Sequence, residues 1–217
     1  LGRGVFGSVF IALYFLFRKQ KPDLDAIRMN RVWLLISGIC LGLNWIFLFA
    51  AYRVTTVAIA SLCDYMAPII IIILSPVLFK ERLTFRKLLC VAAALAGIVC
   101  VSGVIGGDPA AINGKGIILG LLGAVSFSGI IIFNRRLRDL SAYDRALVQL
   151  LISAVVVLPY VIFANFGKTL PLNAKSVLLT VMIGMFQTGL AYILYFGSIS
   201  CMPVQSVAIL GYIEPGV

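Results

Sequence analysis

Two carboxylates set in apolar sequence, Asp64 and Glu214, are the residues of this chain best placed to do chemistry. A carboxylate at membrane depth can bind a solute or take up and release a proton, and it costs roughly 2.5–3.5 kcal/mol unless it faces water or a partner. Asp64 lies about 5 Å from the middle of the apolar run 56–79, at 1.5 Å per helical residue. Val57, Ala60, Ser61, Asp64 and Pro68 fall on one helical face, so the carboxyl emerges among mostly small side chains. Two readings stay open for Asp64: a substrate- or proton-binding group, and a protonated acid hydrogen-bonded to a neighbouring helix as structural glue. Tyr65, Tyr212, Trp45, Tyr192, Asn44 and Gln187 are candidates to line a pocket, because aromatic rings and amides bind organic solutes without adding net charge. Ordinary helix packing or interfacial anchoring accounts for each of these six as readily. Pro68 and Pro215 each remove a helical hydrogen bond and are candidate hinges, with a static kink as the plainer account.

The rest of the composition narrows the chemistry. There is no His, and the five cysteines, Cys40, Cys63, Cys90, Cys100 and Cys201, sit inside apolar runs without CxxC spacing. No metal site, redox centre or cofactor is therefore expected. The 18 Lys and Arg against 8 Asp and Glu give a net charge of +10. The basic residues cluster in gaps between apolar runs, and none forms a stripe interleaved with exposed aromatics, so nucleic acid is not an expected partner.

These side chains need membrane-spanning elements to hold them. Of the 217 residues 62% are hydrophobic and only 12% charged, which excludes an ordinary soluble domain. Apolar segments run from about 4 to 17, 32 to 51, 56 to 79, 86 to 105, 116 to 134, 146 to 164, 176 to 198 and from 203 onward. Each complete run suits a helix crossing about 30 Å of hydrocarbon, giving seven spans and a partial eighth. The fold class is all-α, a polytopic membrane helix bundle, since a barrel needs short alternating segments instead. Thirteen Lys and Arg fall on one side, in loops 18–31, 80–87 and 135–145, against Arg3, Arg53, Lys115, Lys168 and Lys175 on the other. The positive-inside rule places those three loops in the cytoplasm, and the plasma membrane is the expected location. The absence of an initial Met and the short last run suggest a fragment.

The sequence also repeats itself. An offset of 147 aligns Gly42-Leu43 with Gly189-Leu190, Trp45 with Tyr192, Phe49 with Phe196, Val57 with Val204, Tyr65 with Tyr212 and Pro68 with Pro215. Glycine and proline in register are hard to obtain by chance. The offset spans an odd number of crossings, so the second copy is expected upside down, with residues 1–105 and 106–217 as the two repeats. Inverted repeats build a midplane pocket, and rocking of one copy against the other opens it to each side in turn. Restoring the parts of each copy that lack partners gives ten helices.

Four stretches resemble the EamA-type transporters of the drug/metabolite transporter superfamily. They are Ala51-Tyr52-Arg53 through Met66-Ala67-Pro68, Leu78-Phe79-Lys80-Glu81-Arg82-Leu83-Thr84, Ala92-Ala93-Ala94-Leu95-Ala96-Gly97, and Glu214-Pro215. The resemblance covers essentially the whole chain. It implies two inverted five-helix repeats and likens Glu214 to the Glu of the family's EP pair. Lys80 departs from the family pattern, which often has Gly there. The expected function is a secondary transporter of small organic metabolites, an exporter, with the lipid bilayer and a small-molecule substrate as partners. Proton coupling and a homodimer are further expectations. An integral membrane enzyme acting on lipids and a structural or sensory membrane protein are the competing classes. The first needs clustered acids or a His or Cys nucleophile with a base, so no enzyme is expected.

Overall fold

Apolar sequence of this kind can satisfy its backbone in hydrocarbon only as helix, and a computed structural model of the chain has helices joined by turns and short loops, with no strand among the described residues. It describes residues 2–18, 22–80, 84–101, 113–164, 173–191, 193–195 and 202–210. In order these form α1 (Gly2–Arg18), α2 (Leu24–Met29), α3 (Arg31–Ala51), α4 (Val57–Asp64), α5 (Ala67–Phe79), α6 (Phe85–Val101), α7 (Gly114–Asn134), α8 (Ala142–Ala164), α9 (Ala174–Met182), a π-helical stretch (Ile183–Leu190) and α10 (Val204–Leu210). Five stretches are long and apolar enough to cross a bilayer: Arg31–Ala51, Val57–Phe79, Gly114–Asn134, Ala142–Ala164 and Val177–Tyr195. At 17 residues each, α1 and α6 sit at the lower end of spanning length. The chain is an integral, multi-pass membrane protein.

The described chain divides into two compact units, Leu1–Leu43 with Phe133–Cys201, and Asn44–Ile132 with Met202–Val217. Each is assembled from two stretches that are separated in the sequence. In the first, α1 packs against α8 and the π-helical stretch. Glycine permits that approach: a β-carbon on Gly7 would stand 3.2 Å from the Gly184 carbonyl oxygen. Tyr14 stacks on Tyr143 with ring centroids 4.5 Å apart. Ala26, Leu34, Leu137 and Leu140 form a small core where α2 and α3 meet the turn after α7. Trp33 stacks on Phe133 at 5.9 Å and carries the Arg136 guanidinium over its ring at 5.6 Å, an aromatic and a cationic contact at the end of the span.

In the second unit the run 56–79 is not one helix. Thr56 caps α4 by accepting a hydrogen bond from Ile59 N–H, and the chain turns at Tyr65 and Met66 before α5 begins at Ala67. Pro68 therefore occupies the first turn of a new helix, where its missing N–H leaves no bond unmade, rather than kinking a continuous one. At its far end α5 stops at Lys80, whose φ of 56° lies in the left-handed region and whose N–H bonds the Pro76 carbonyl. Glycine would suit this position better than lysine, because the cap needs a conformation that a Cβ disfavours by about 1–2 kcal/mol. Lys80→Val should lower the melting temperature, because a β-branched residue fits that region worst, whereas Lys80→Gly should be neutral or stabilising. Equal melting of Lys80→Val and the parent would remove the strain from Lys80.

Helix α8 starts at Ala142, four residues ahead of the expected boundary. Ser141 and Asp144 explain the difference by bonding reciprocally: Asp144 N–H donates to Ser141 Oγ at 3.0 Å, and that hydroxyl donates to the Asp144 carboxylate at 2.7 Å. Arg145, expected in a loop, is thereby drawn into the first turn and is only 3% exposed.

Candidate functional site

Asn44, on α3, and Asp64, the last residue of α4, come together in the second unit with Gly123 of α7. Asn44 is buried at 4% exposure, and Asp64 is half-buried. The Asn44 Nδ2 group donates to Asp64 Oδ1 at 3.0 Å and to the Gly123 carbonyl at 3.1 Å. A flipped amide would set its oxygen against that carbonyl, so Gly123 fixes Asn44 as a donor. Asp64 Oδ1 is therefore the acceptor in this pair.

The approach of α7 to α4 depends on three glycines. A β-carbon on Gly116 would lie 2.5 Å from Thr55 Cβ, one on Gly120 2.6 Å from Cys63 Cβ, and one on Gly123 2.9 Å from Asp64 Oδ1 and 3.7 Å from Asn44 Nδ2. Small residues let backbones pack this closely in lipid, where no hydrophobic force draws helices together. One turn before Asp64, the Ser61 hydroxyl bonds Tyr52 OH at 3.1 Å. Gly123→Ala should impair whatever Asp64 does while leaving melting less affected than Gly120→Ala, whose added methyl meets the Ala60 carbonyl at 3.1 Å and Cys63. A Gly123→Ala protein that functions as the parent does would show that the Asp64 carboxyl tolerates displacement.

The other residues singled out in the sequence divide as follows. Trp45 follows Asn44 on α3 and is 4% exposed, and Tyr65 is half-buried at the break between α4 and α5. Gln187 lies in the π-helical stretch, a rare conformation that often marks functional positions, and its side chain is outside the described residues. Tyr192, Tyr212, Glu214 and Pro215 also fall outside the described residues. Among the described residues no group of His, Cys, Asp or Glu is arranged to hold a metal ion.

A second polar cluster, in the first unit, had no counterpart in the sequence reading. Gln149 of α8 donates through Nε2 to Ser37 Oγ of α3 and to Asn134 Oδ1 at the end of α7, each at 2.5 Å. All three side chains are at most 1% exposed. In the other unit, Gln205 of α10 bonds Ser75 of α5 in the same manner. Polar side chains of this kind join helices where water is absent.

The helical spans, with a half-buried, amide-held carboxylate in one of them, define the class as a polytopic membrane protein. The particular family follows from comparison: the profile of the EamA-like transporter family matches residues 1–103 and again 114–217, and the chain belongs to that family, within the drug/metabolite transporter superfamily. Similar proteins include YxxF of Bacillus subtilis, described as an uncharacterized transporter, at 25% identity over 184 residues, covering 84% of this chain and 58% of the relative. An uncharacterized transporter of Archaeoglobus fulgidus is 30% identical over 167 residues, covering 76% and 57%, and YojE of B. subtilis, also an uncharacterized transporter, is 26% identical over 224 residues, covering 99% and 71%. The chain thus spans less than three fifths of the length of the first two. A solved crystal structure shares the fold with a TM-score of 0.80 at 22% identity, covering 99% of this chain and 74% of the other.

Proposed function

We propose that the protein is a secondary carrier that exports small organic metabolites across the plasma membrane by alternating access around a pocket near the membrane midplane. The observation that carries this reading is the Asp64 carboxylate, held in a membrane-spanning segment by the buried Asn44 amide with Gly123 behind it. An acid kept at that depth at a cost of a few kcal/mol, beside a half-buried surface, is suited to binding a solute or a coupling proton. The family match and the names of the similar proteins support a transporter. Glu214 is proposed as the second acid, with Tyr65, Trp45, Gln187, Tyr192 and Tyr212 lining the pocket and Pro68 and Pro215 as hinges between two inverted repeats, 1–105 and 106–217. No enzymatic activity and no cofactor form part of this proposal.

The test is solute counterflow. Purified protein in proteoliposomes preloaded with one metabolite of a broad panel should accumulate the same radiolabelled metabolite against its gradient, and an imposed pH gradient should change the rate if protons couple. Protein that is folded, inserted and inert toward the whole panel, yet binds another protein, would favour a sensory or structural role.

A further inference from the structure

One surface feature is used by none of the roles above. At the start of α3 a groove of about 440 Å³ is walled by Ile27 of α2, by Arg31, Val32 and Leu35 of α3, and by Val148 and Ile152 of α8. Leu34, 1% exposed, forms its floor. One turn further along, the groove closes where α3 meets α8 at Gly38, on which a β-carbon would come within 2.8 Å of Ile152. Apart from Arg31 the walls are aliphatic, and Arg31 stands exposed at the mouth, with no hydrogen bond or ion pair among the described residues. Arg28, also exposed, lies in the last turn of α2, three residues away.

Walls and mouth ask for different chemistry in one occupant. The aliphatic slot, closed at its inner end and open to the side, suits a hydrocarbon chain, and the guanidinium at its mouth suits a phosphate, which Arg binds in a two-pronged fashion. A water-soluble metabolite offers no chain for the slot. A second copy of this protein would bring its own excess of positive charge toward Arg28 and Arg31. We infer that this groove binds one anionic phospholipid, its acyl chain along α3 and α8 and its phosphate on Arg31. The positive-inside rule puts this end of α3 at the cytoplasmic face, where basic pockets between helices recognise lipid headgroups. A lipid seated there contacts both helices next to the point where Gly38 meets Ile152, and so fastens α3 to α8.

The inference stands apart from the carrier reading and is tested by binding alone. Detergent-purified protein is mixed with phosphatidylglycerol and phosphatidylcholine of identical acyl chains, and retained lipids are counted by native mass spectrometry. The expected result is preferential retention of one phosphatidylglycerol. Arg31→Gln should reduce that retention roughly fivefold, the effect of one basic residue at an anionic surface, while phosphatidylcholine is unaffected. Leu35→Trp, at a half-exposed position, should fill the slot and displace either lipid, and Arg86→Gln, elsewhere in the chain, should keep the parent's preference. Equal retention of the two lipids by the parent, or an unchanged preference in Arg31→Gln, overturns the site. So does a dimer that Leu35→Trp dissociates without altering lipid retention, because the groove is then an interface between copies.

Discussion

Asp64→Asn should abolish pH-dependent transport, or slow it by at least about tenfold, without lowering the melting temperature of the protein in detergent. The expectation follows from what the substitution keeps and what it removes. Asparagine has the shape of aspartate, and its side-chain oxygen can go on accepting the bond that Asn44 Nδ2 gives to Asp64 Oδ1 at 3.0 Å. The contact of α3 with α4 and α7 is therefore preserved, and the cost of a charge at membrane depth, roughly 2.5–3.5 kcal/mol, disappears. Lost are the negative charge and the ability of the carboxyl to take up and release a proton. If the carboxyl is only structural glue, its replacement by an amide should leave transport and its pH response untouched. That outcome would falsify the mechanistic role of Asp64. Asn44→Leu provides the contrasting case, since it removes the donor to both Asp64 and the Gly123 carbonyl while leaving the carboxylate in place. It should retain pH dependence but destabilise the protein, because the half-buried Asp64 carboxylate and the buried Gly123 carbonyl both lose this donor.

The ease with which the sequence could be read varied with the range of the interaction. The spans were legible because twenty apolar residues are a local signal, and α3, α7 and α8 stand close to where hydropathy places them. Asp64 was legible because one acid inside an apolar run is conspicuous, and Asn44 because an amide there can bind a solute without adding charge. Their pairing was not, since it depends on how α3 meets α4, and no periodicity encodes that. Gly123 escaped attention for the same reason: Gly116 and Gly120 follow the four-residue spacing of helix contacts, whereas Gly123 departs from it to make room for the Asp64 carboxyl. Two local signals were present and were outweighed. Ser141 and Asp144 have the spacing of a capping box, which moves Arg145 from loop to helix, and a proline two residues beyond Met66 marks the start of a helix as well as it marks a kink. At 65–66 an unbroken apolar run masked the boundary, whereas at α8 the charged Asp144-Arg145 pair set it four residues too late.

Gln149→Leu should lower the melting temperature by several degrees, and adding Asn134→Leu should recover much of the loss. In the parent protein Gln149 spends both of its amide hydrogens, on Ser37 Oγ and Asn134 Oδ1, while its own Oε1 and the Asn134 Nδ2 group find no partner among the described residues. Turning either amide over does not repair this, because two facing amides that share one contact always leave one oxygen and one N–H group over. Ser37 is better placed, since its hydroxyl still donates to the Leu34 carbonyl at 3.1 Å. Leucine at 149 deprives Asn134 Oδ1 of its donor, so an asparagine only 1% exposed is left with neither end bonded. A buried polar group orphaned in this way costs about 1–3 kcal/mol, whereas interhelical hydrogen bonds measured in a membrane bundle average only about 0.6 kcal/mol. The larger figure applies here, because nothing in the buried cluster can replace the lost donor. At about 2–4 °C per kcal/mol for a chain of this size the shift is readily measured. The second substitution then removes the orphan itself, and two leucines can fill the gap between α7 and α8 with hydrocarbon. A double variant that melts lower than Gln149→Leu would mean that the two unpartnered atoms are satisfied in the membrane, and that the cluster holds its helices together as a complete network.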